Sequence, residues 1–135
     1  MNARPTLSRR CRLALLLVVS FQALHSIEEY LTRLYEVFGP ARFVSGLASD
    51  DLARGFVIVN LAIVAAGFAS WLATHRLNAG AAAAVAWFWA ILELLNGLGH
   101  IGLAVSSGGY FPGLATAPLL AVGSAVLAVL LLKEG

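Results

Sequence analysis

The stretch that decides the fold is residues 13–30, Leu-Ala-Leu-Leu-Leu-Val-Val-Ser-Phe-Gln-Ala-Leu-His-Ser-Ile-Glu-Glu-Tyr. It starts as an apolar run, Leu13 to Leu24, and passes into His25, Glu28 and Glu29 with no Gly or Pro to break a helix. Arg4, Arg9, Arg10 and Arg12 precede it. Basic residues before an apolar run resemble a secretory leader. A leader would be followed by a small-residue cleavage site, and here ionisable residues follow instead. The run is therefore expected to remain as a membrane span, continuing helically toward Tyr35 and ending at Pro40.

Outward from this segment the chain repeats the pattern. Of its 135 residues, 60% are hydrophobic and 12% charged, and the mean hydropathy is +0.85. A soluble domain carries about a quarter charged residues. With so few solvating side chains, most of the surface must face lipid. Further apolar runs extend from Gly55 to Thr74, from Ala81 past His100 to Ala104, and from Leu114 to Leu132. The expected fold is all-α, a single membrane domain built as a four-transmembrane-helix bundle with spans near 13–35, 55–74, 81–104 and 114–132. Gly39 to Arg54 reads as a loop, and Tyr30 to Phe38 as an amphipathic continuation lying at the interface.

Six of the nine Lys and Arg residues fall at the N-terminus, beside Arg76 and at the C-terminus. Arg33, Arg42 and Arg54 fall on the other side. Positive charge favours the cytoplasmic side of short loops, so both termini are expected to be cytoplasmic, in a bacterial plasma membrane. The formal charge of +2 does not mark a nucleic-acid binder, because the basic residues cap helix ends and form no patch with aromatics. The lone Cys11 excludes an internal disulfide and a cysteine metal cluster, leaving an inert thiol or a palmitoylation site.

Depth brings the polar residues together. At 1.5 Å per residue, His25 lies roughly 18 Å and Glu28 and Glu29 roughly 23 Å into the first span. Glu93, Asn96 and His100 lie roughly 18, 22 and 28 Å into the third, which enters from the same side. Asn60, descending from outside, lies roughly 8 Å below the outer surface. His25, Glu28 and Glu29 share one helix face, and so do Glu93, Asn96 and His100. A carboxylate at membrane depth costs on the order of 3 kcal/mol on insertion scales. Three of them, in one outer-half layer, call for a cavity, a cation or one another.

These residues also carry a resemblance. His25-Ser26-Ile27-Glu28-Glu29 resembles the namesake motif of the HXXEE-domain family. Asn96-Gly97-Leu98-Gly99-His100 follows, and then Pro112-Gly113-Leu114-Ala115-Thr116-Ala117, preceded by Tyr110. The resemblance spans nearly the whole chain. It implies a polytopic membrane protein with site residues at His25, Glu28, Glu29, Asn96 and His100, and it implies no particular reaction. Glu93 lies outside these motifs and rests on depth and face.

Several chemistries use these groups. Imidazole and carboxylate ligands suit a divalent transition metal, Zn, Mn or Fe. Di-metal bundles use four Glu and two His with Glu-x-x-His spacing. The His25/Glu28 spacing reverses that motif, so a single metal on His25, Glu29 and His100 is easier to build. Glu28 or Glu93 would then serve as ligand or acid/base, and Asn96 as the orienting hydrogen-bonder. Such a site could activate water in a membrane enzyme acting on a lipid or other hydrophobic small molecule. A metal-free His-Glu pair could instead run acid/base chemistry, as an isomerase, cyclase or hydrolase of an isoprenoid-like substrate. An ion or proton path would require a homo-oligomer, because four spans leave little room. A structural role would pair the His and Glu with Arg33, Asn60 and one another, although buried ion pairs stabilise less than apolar packing.

Plainer readings cover the rest. His75 beside Arg76 is a span-end residue. Trp71, Trp87 and Trp89 suit an aromatic belt. Gly97, Gly99 and Gly102, with the Ala81 to Ala84 run, suit close helix contact. Pro112-Gly113 turns the chain, Thr116 caps the last span or faces the site, and Pro118 is tolerable in a first helical turn. Neither a phosphate-binding loop nor a serine nucleophile motif is present.

Overall fold

A computed structural model describes residues 6–134 of the chain. Arg4 of the basic N-terminus lies outside them. The described residues form helices and no strand: α1 Arg9–Leu31, α2 Leu34–Val37, α3 Gly39–Ala48, α4 Leu52–Ala73, α5 Ala79–Ser107 and α6 Ala117–Leu132. Three of these helices, α1, α4 and α5, are long and apolar enough to cross a membrane. α6 is apolar but only 16 residues long, about 24 Å.

Local chemistry sets the boundaries. Ser8, Asp51 and Asn78 each accept a backbone N–H of the first turn of α1, α4 and α5, satisfying donors that a helix start leaves orphaned. Gly108 ends α5 in the left-handed region at φ 69°, the conformation glycine adopts without penalty.

Two expectations about the first connection fail. α1 does not run on to Tyr35. Thr32 turns its hydroxyl onto Glu28 O, and Arg33 breaks the helix in a left-handed conformation, φ 57° and ψ 47°. Nor does Pro40 end a helix. It sits in the first turn of α3, where its fixed φ suits the helix and its missing N–H is not needed. Much of the expected Gly39 to Arg54 loop is therefore helical. The segment before it turns inward, with Leu34 and Tyr35 buried against Phe56. The outward apolar face belongs to α3 instead, where Phe43 and Leu47 are exposed.

α1 is the hub, touching α4, α5 and α6, and α5 packs along α6. Gly97 marks the α5–α6 crossing, since a Cβ there would stand 2.7 Å from Ala117 O. Gly99 and Gly102 do not share this role, because both face open space. Contact between α4 and α5 is sparse, and α3 lies across α4 beside that gap.

The bundle divides along its length. The N–H of Ser8 donates to Glu134 Oε2 at 3.3 Å, so the start of α1 meets the end of α6. This end is filled by Cys11, Leu15, Val18, Val19, Ala82, Ala86, Trp89, Leu127 and Leu131. Trp89 is thus a core residue, contrary to the belt reading, while Trp71 and Trp87 are half-buried. Cys11 is wholly buried, which removes it as an acylation site in the folded chain. The outer surface carries Leu17, Leu24, Ile58, Leu61, Leu95 and Val126 exposed, more apolar area than water tolerates on a monomer.

Candidate metal centre

At the other end of the bundle, beside the buried Leu34, Tyr35 and Phe56, a set of polar residues is buried. Successive turns of α1 present Gln22, His25, Ser26 and Glu29 inward, and α5 presents Glu93 and His100. Glu29 Oε1 lies 3.3 Å from His25 Nε2 and 3.0 Å from His100 Nε2. The two imidazoles meet edge to face with centroids 4.6 Å apart. One ligand atom from each of His25, Glu29 and His100 lies within 4.8 Å of the others.

The far side of each ring decides what these atoms can do. His100 Nδ1 lies 2.6 Å from Pro112 O. A carbonyl only accepts, so Nδ1 carries the proton. His25 Nδ1 lies 2.7 Å from Thr116 Oγ1. The Thr116 hydroxyl donates to the Glu28 carboxylate, so toward His25 it can only accept, and His25 Nδ1 also carries a proton. When neutral, both rings therefore turn an Nε2 lone pair toward the same carboxylate oxygen. Three acceptors with no donor among them repel unless a proton or a cation lies between. His25 Nε2 is fully buried and has no hydrogen-bond partner among the described residues.

The connection between α5 and α6 holds this arrangement. Gly113 has φ 92°, and a Cβ there would stand 2.6 Å from His100 Nδ1 and 2.7 Å from His25 Cε1. Only glycine lets the turn lie this close over both rings. Glu28 fastens the same turn. It accepts from Ala115 N at 2.9 Å, Thr116 N at 2.8 Å, the Thr116 hydroxyl and the Tyr110 hydroxyl. A carboxylate at the N-terminus of α6 fills orphan backbone donors and complements the helix dipole. Tyr110, in the connection, has its phenol pKa raised by burial and by hydrogen bonding to Glu28, which keeps it a donor.

A second chain of hydrogen bonds begins at Phe56 O. Asn60 Nδ2 donates to it at 3.0 Å, which leaves Asn60 Oδ1 to accept from Ser26 at 2.7 Å. Ser26 then accepts from Gln22 Nε2 at 3.1 Å. Gln22 Oε1 in turn accepts from Asn96 Nδ2 at 3.2 Å, and the same Nδ2 donates to Glu93 Oε2 at 3.2 Å. A carbonyl at one end and the Glu93 carboxyl at the other fix every amide between them.

Of the residues expected at the site, His25, Glu29 and His100 converge. Glu28 shares their layer but faces the α5–α6 connection, because one residue of helix rotates it about 100° from Glu29. Glu93 and Asn96 join through Gln22 and Ser26 rather than through the histidines. Asn60 reaches this chain through Ser26. Arg33 does not take part and pairs with Glu36 at the exposed end. His75 follows the end of α4 and lies against Trp71. Gln22 and Ser26 escaped the sequence reading, although Gln22 lies one helical turn before His25 and Ser26 one turn before Glu29.

The family model described as protein of unknown function with HXXEE motif matches residues 16–128, so the chain belongs to the HXXEE family. No curated protein and no solved structure matches it. The geometry gives the Pro112 to Thr116 stretch physical content: Pro112 O orients one imidazole, Gly113 makes room for both, and Thr116 orients the other.

Proposed function

We propose that this HXXEE-family chain is a metal-dependent membrane enzyme that holds one divalent transition metal, Zn, Mn or Fe, on His25 Nε2, Glu29 and His100 Nε2 and acts on a lipid or other hydrophobic small molecule. The observation that carries the reading is the acceptor facing each Nδ1, which assigns the ring proton there and aims two Nε2 lone pairs at one carboxylate oxygen. An imidazole held through Nδ1–H by a carbonyl or another acceptor is the usual outer support of a metal ligand. Two His and one Glu leave a fourth position open, as catalytic zinc sites do. A metal there supplies Lewis acidity and a water activated near neutral pH. Glu28, with its oxygens engaged by four donors, is a positioning residue. Glu93 is the carboxyl left for proton transfer, and Asn96 orients it.

The same reading assigns four spans. α6 alone falls short of the hydrocarbon thickness, about 30 Å. The turn before it makes up the depth. Irregular backbone is tolerated there when protein satisfies it, and Glu28 and His100 do so. Both termini are cytoplasmic, since their shared end carries most of the basic residues. A bacterial plasma membrane is the proposed host.

Metal analysis of the purified, reconstituted protein tests the centre. One equivalent per chain is expected in wild type and none in His100→Ala. Wild type that takes up no transition metal after reconstitution overturns it and favours a proton shared among the same three groups, the acid/base reading.

A further inference from the structure

A crevice of about 190 Å³ runs between α1, α3, α4 and α5 and reaches Glu29 and Asn96. Ala41 and Val44 of α3 and Val59 and Ile63 of α4 form apolar walls. Val44, 42% exposed, stands at its mouth. The crevice lies beside the sparse α4–α5 contact, and Leu92, one helical turn from Asn96 on α5, is exposed. It therefore opens onto surface that lipid covers.

The polar residues lining it are Gln22, Glu29, Ser45, Asn60 and Asn96. The hydrogen-bond chain from Phe56 O uses the Asn96 amide nitrogen twice and leaves Asn96 Oδ1 without a partner among the described residues. Glu29 engages the histidines through Oε1, and its Oε2 has no partner among the described residues. Both free atoms are acceptors, so a ligand that engages them must donate, while the second N–H of Gln22 and of Asn60 and the Ser45 hydroxyl can serve its lone pairs. A phosphate or carboxylate head group brings only acceptors and meets the charge of Glu29. An ammonium head group must carry a charge past apolar walls at membrane depth, which is costly. A hydroxyl donates without that cost. The volume is below the roughly 300 Å³ at which pockets begin to enclose whole ligands, so the polar end enters and the remainder stays among lipid chains.

We infer that this crevice is a lateral binding site for the hydroxyl end of a long-chain alcohol, which enters from the bilayer between α4 and α5 and donates to Asn96 Oδ1 and Glu29 Oε2. This names the substrate class of the proposed enzyme and rests on that reading for its chemistry. Binding itself needs only the crevice.

The test uses the full chain in phosphatidylcholine vesicles and hexadecanol carrying a diazirine beside its hydroxyl. Photolysis is expected to place adducts on Ala41, Val44, Val59 or Ile63. Unlabelled hexadecanol should compete about tenfold better than its methyl ether, which cannot donate. Ile63→Trp and Val59→Trp should each cut labelling several-fold. Adducts spread over outer residues such as Leu61 and Leu95 overturn the proposal. So does equal competition by the ether, which would mean that the two acceptors serve water alone; this comparison uses wild type and depends on no variant folding. Chelator-treated protein should label as well as untreated protein. Labelling without any bound metal would keep the binding site and remove the metal enzyme, while metal without labelling would do the reverse.

Discussion

The two ends of the bundle are held together by different forces. Around Leu15, Ala86 and Leu127, near the chain termini, buried side chains are mostly apolar and many are small, with Ser124 and Thr74 the buried hydroxyls. In lipid such surfaces gain nothing from leaving water, so cohesion there comes from close packing. Around His25 and Glu29 the helices are joined by directed polar contacts, each orienting the next. An apolar contact tolerates small displacements. A polar contact at membrane depth does not, because an unsatisfied group there is costly. The difference teaches where geometry is specified: the polar end fixes atoms, and the apolar end fixes only the distance between helices.

The largest expected break in this contrast is Glu29→Gln. It keeps shape and removes the charge on which both Nε2 atoms converge. Stoichiometric metal should vanish in elemental analysis, with the helix content by circular dichroism retained. Gly113→Ala comes next. Its methyl group meets both imidazoles, and its positive φ adds strain. Metal affinity should fall about a hundredfold, with about 3 kcal/mol lost in stability from clash and strain together. Competition titration and denaturant unfolding in detergent read the two effects. Glu28→Gln should cost less, about tenfold in affinity, since it loosens the turn that orients the rings without removing a ligand. Glu28→Gln affinity matching Glu29→Gln would make Glu28 a ligand and collapse the distinction between them.

How much of this was legible beforehand follows the same division. The apolar runs and the i, i+4 pair His25 and Glu29 can be read from spacing, because helix geometry alone puts them on one face. Depth arithmetic placed His100 only in the same outer-half layer, roughly 10 Å deeper than His25, and the structure brings the two rings to 4.6 Å between centroids. The separation of Glu28 from Glu29 was not legible. Both fit the same broad face, and only the α5–α6 connection shows that neighbouring residues serve different partners. The α3 helix was hidden by Pro40, read as a stop when its chemistry equally permits a start. Asp51 and Asn78 were visible cap signals that would have placed the starts of α4 and α5. Gln22 and Ser26 look like minor polar interruptions of an apolar run, and their role exists only once Asn60 and Asn96 are brought alongside.

The smallest expected effect on the centre sharpens the contrast from the opposite end. Leu127→Ala removes a fully buried side chain from the apolar half. The cavity it leaves should cost about 2 kcal/mol in unfolding experiments. Metal affinity should stay within about twofold of wild type, because the lost contacts set no ligand's orientation and distant sites add independently. The centre is tied to α6 through Thr116 and the turn before it, at the far end of that helix from Leu127. A hundredfold loss of affinity in Leu127→Ala would mean that the apolar packing transmits its position to the ligands. The two halves would then be one cooperative unit, and the fixing of the rings would have to be assigned to the whole bundle rather than to Pro112, Gly113, Thr116 and Glu28.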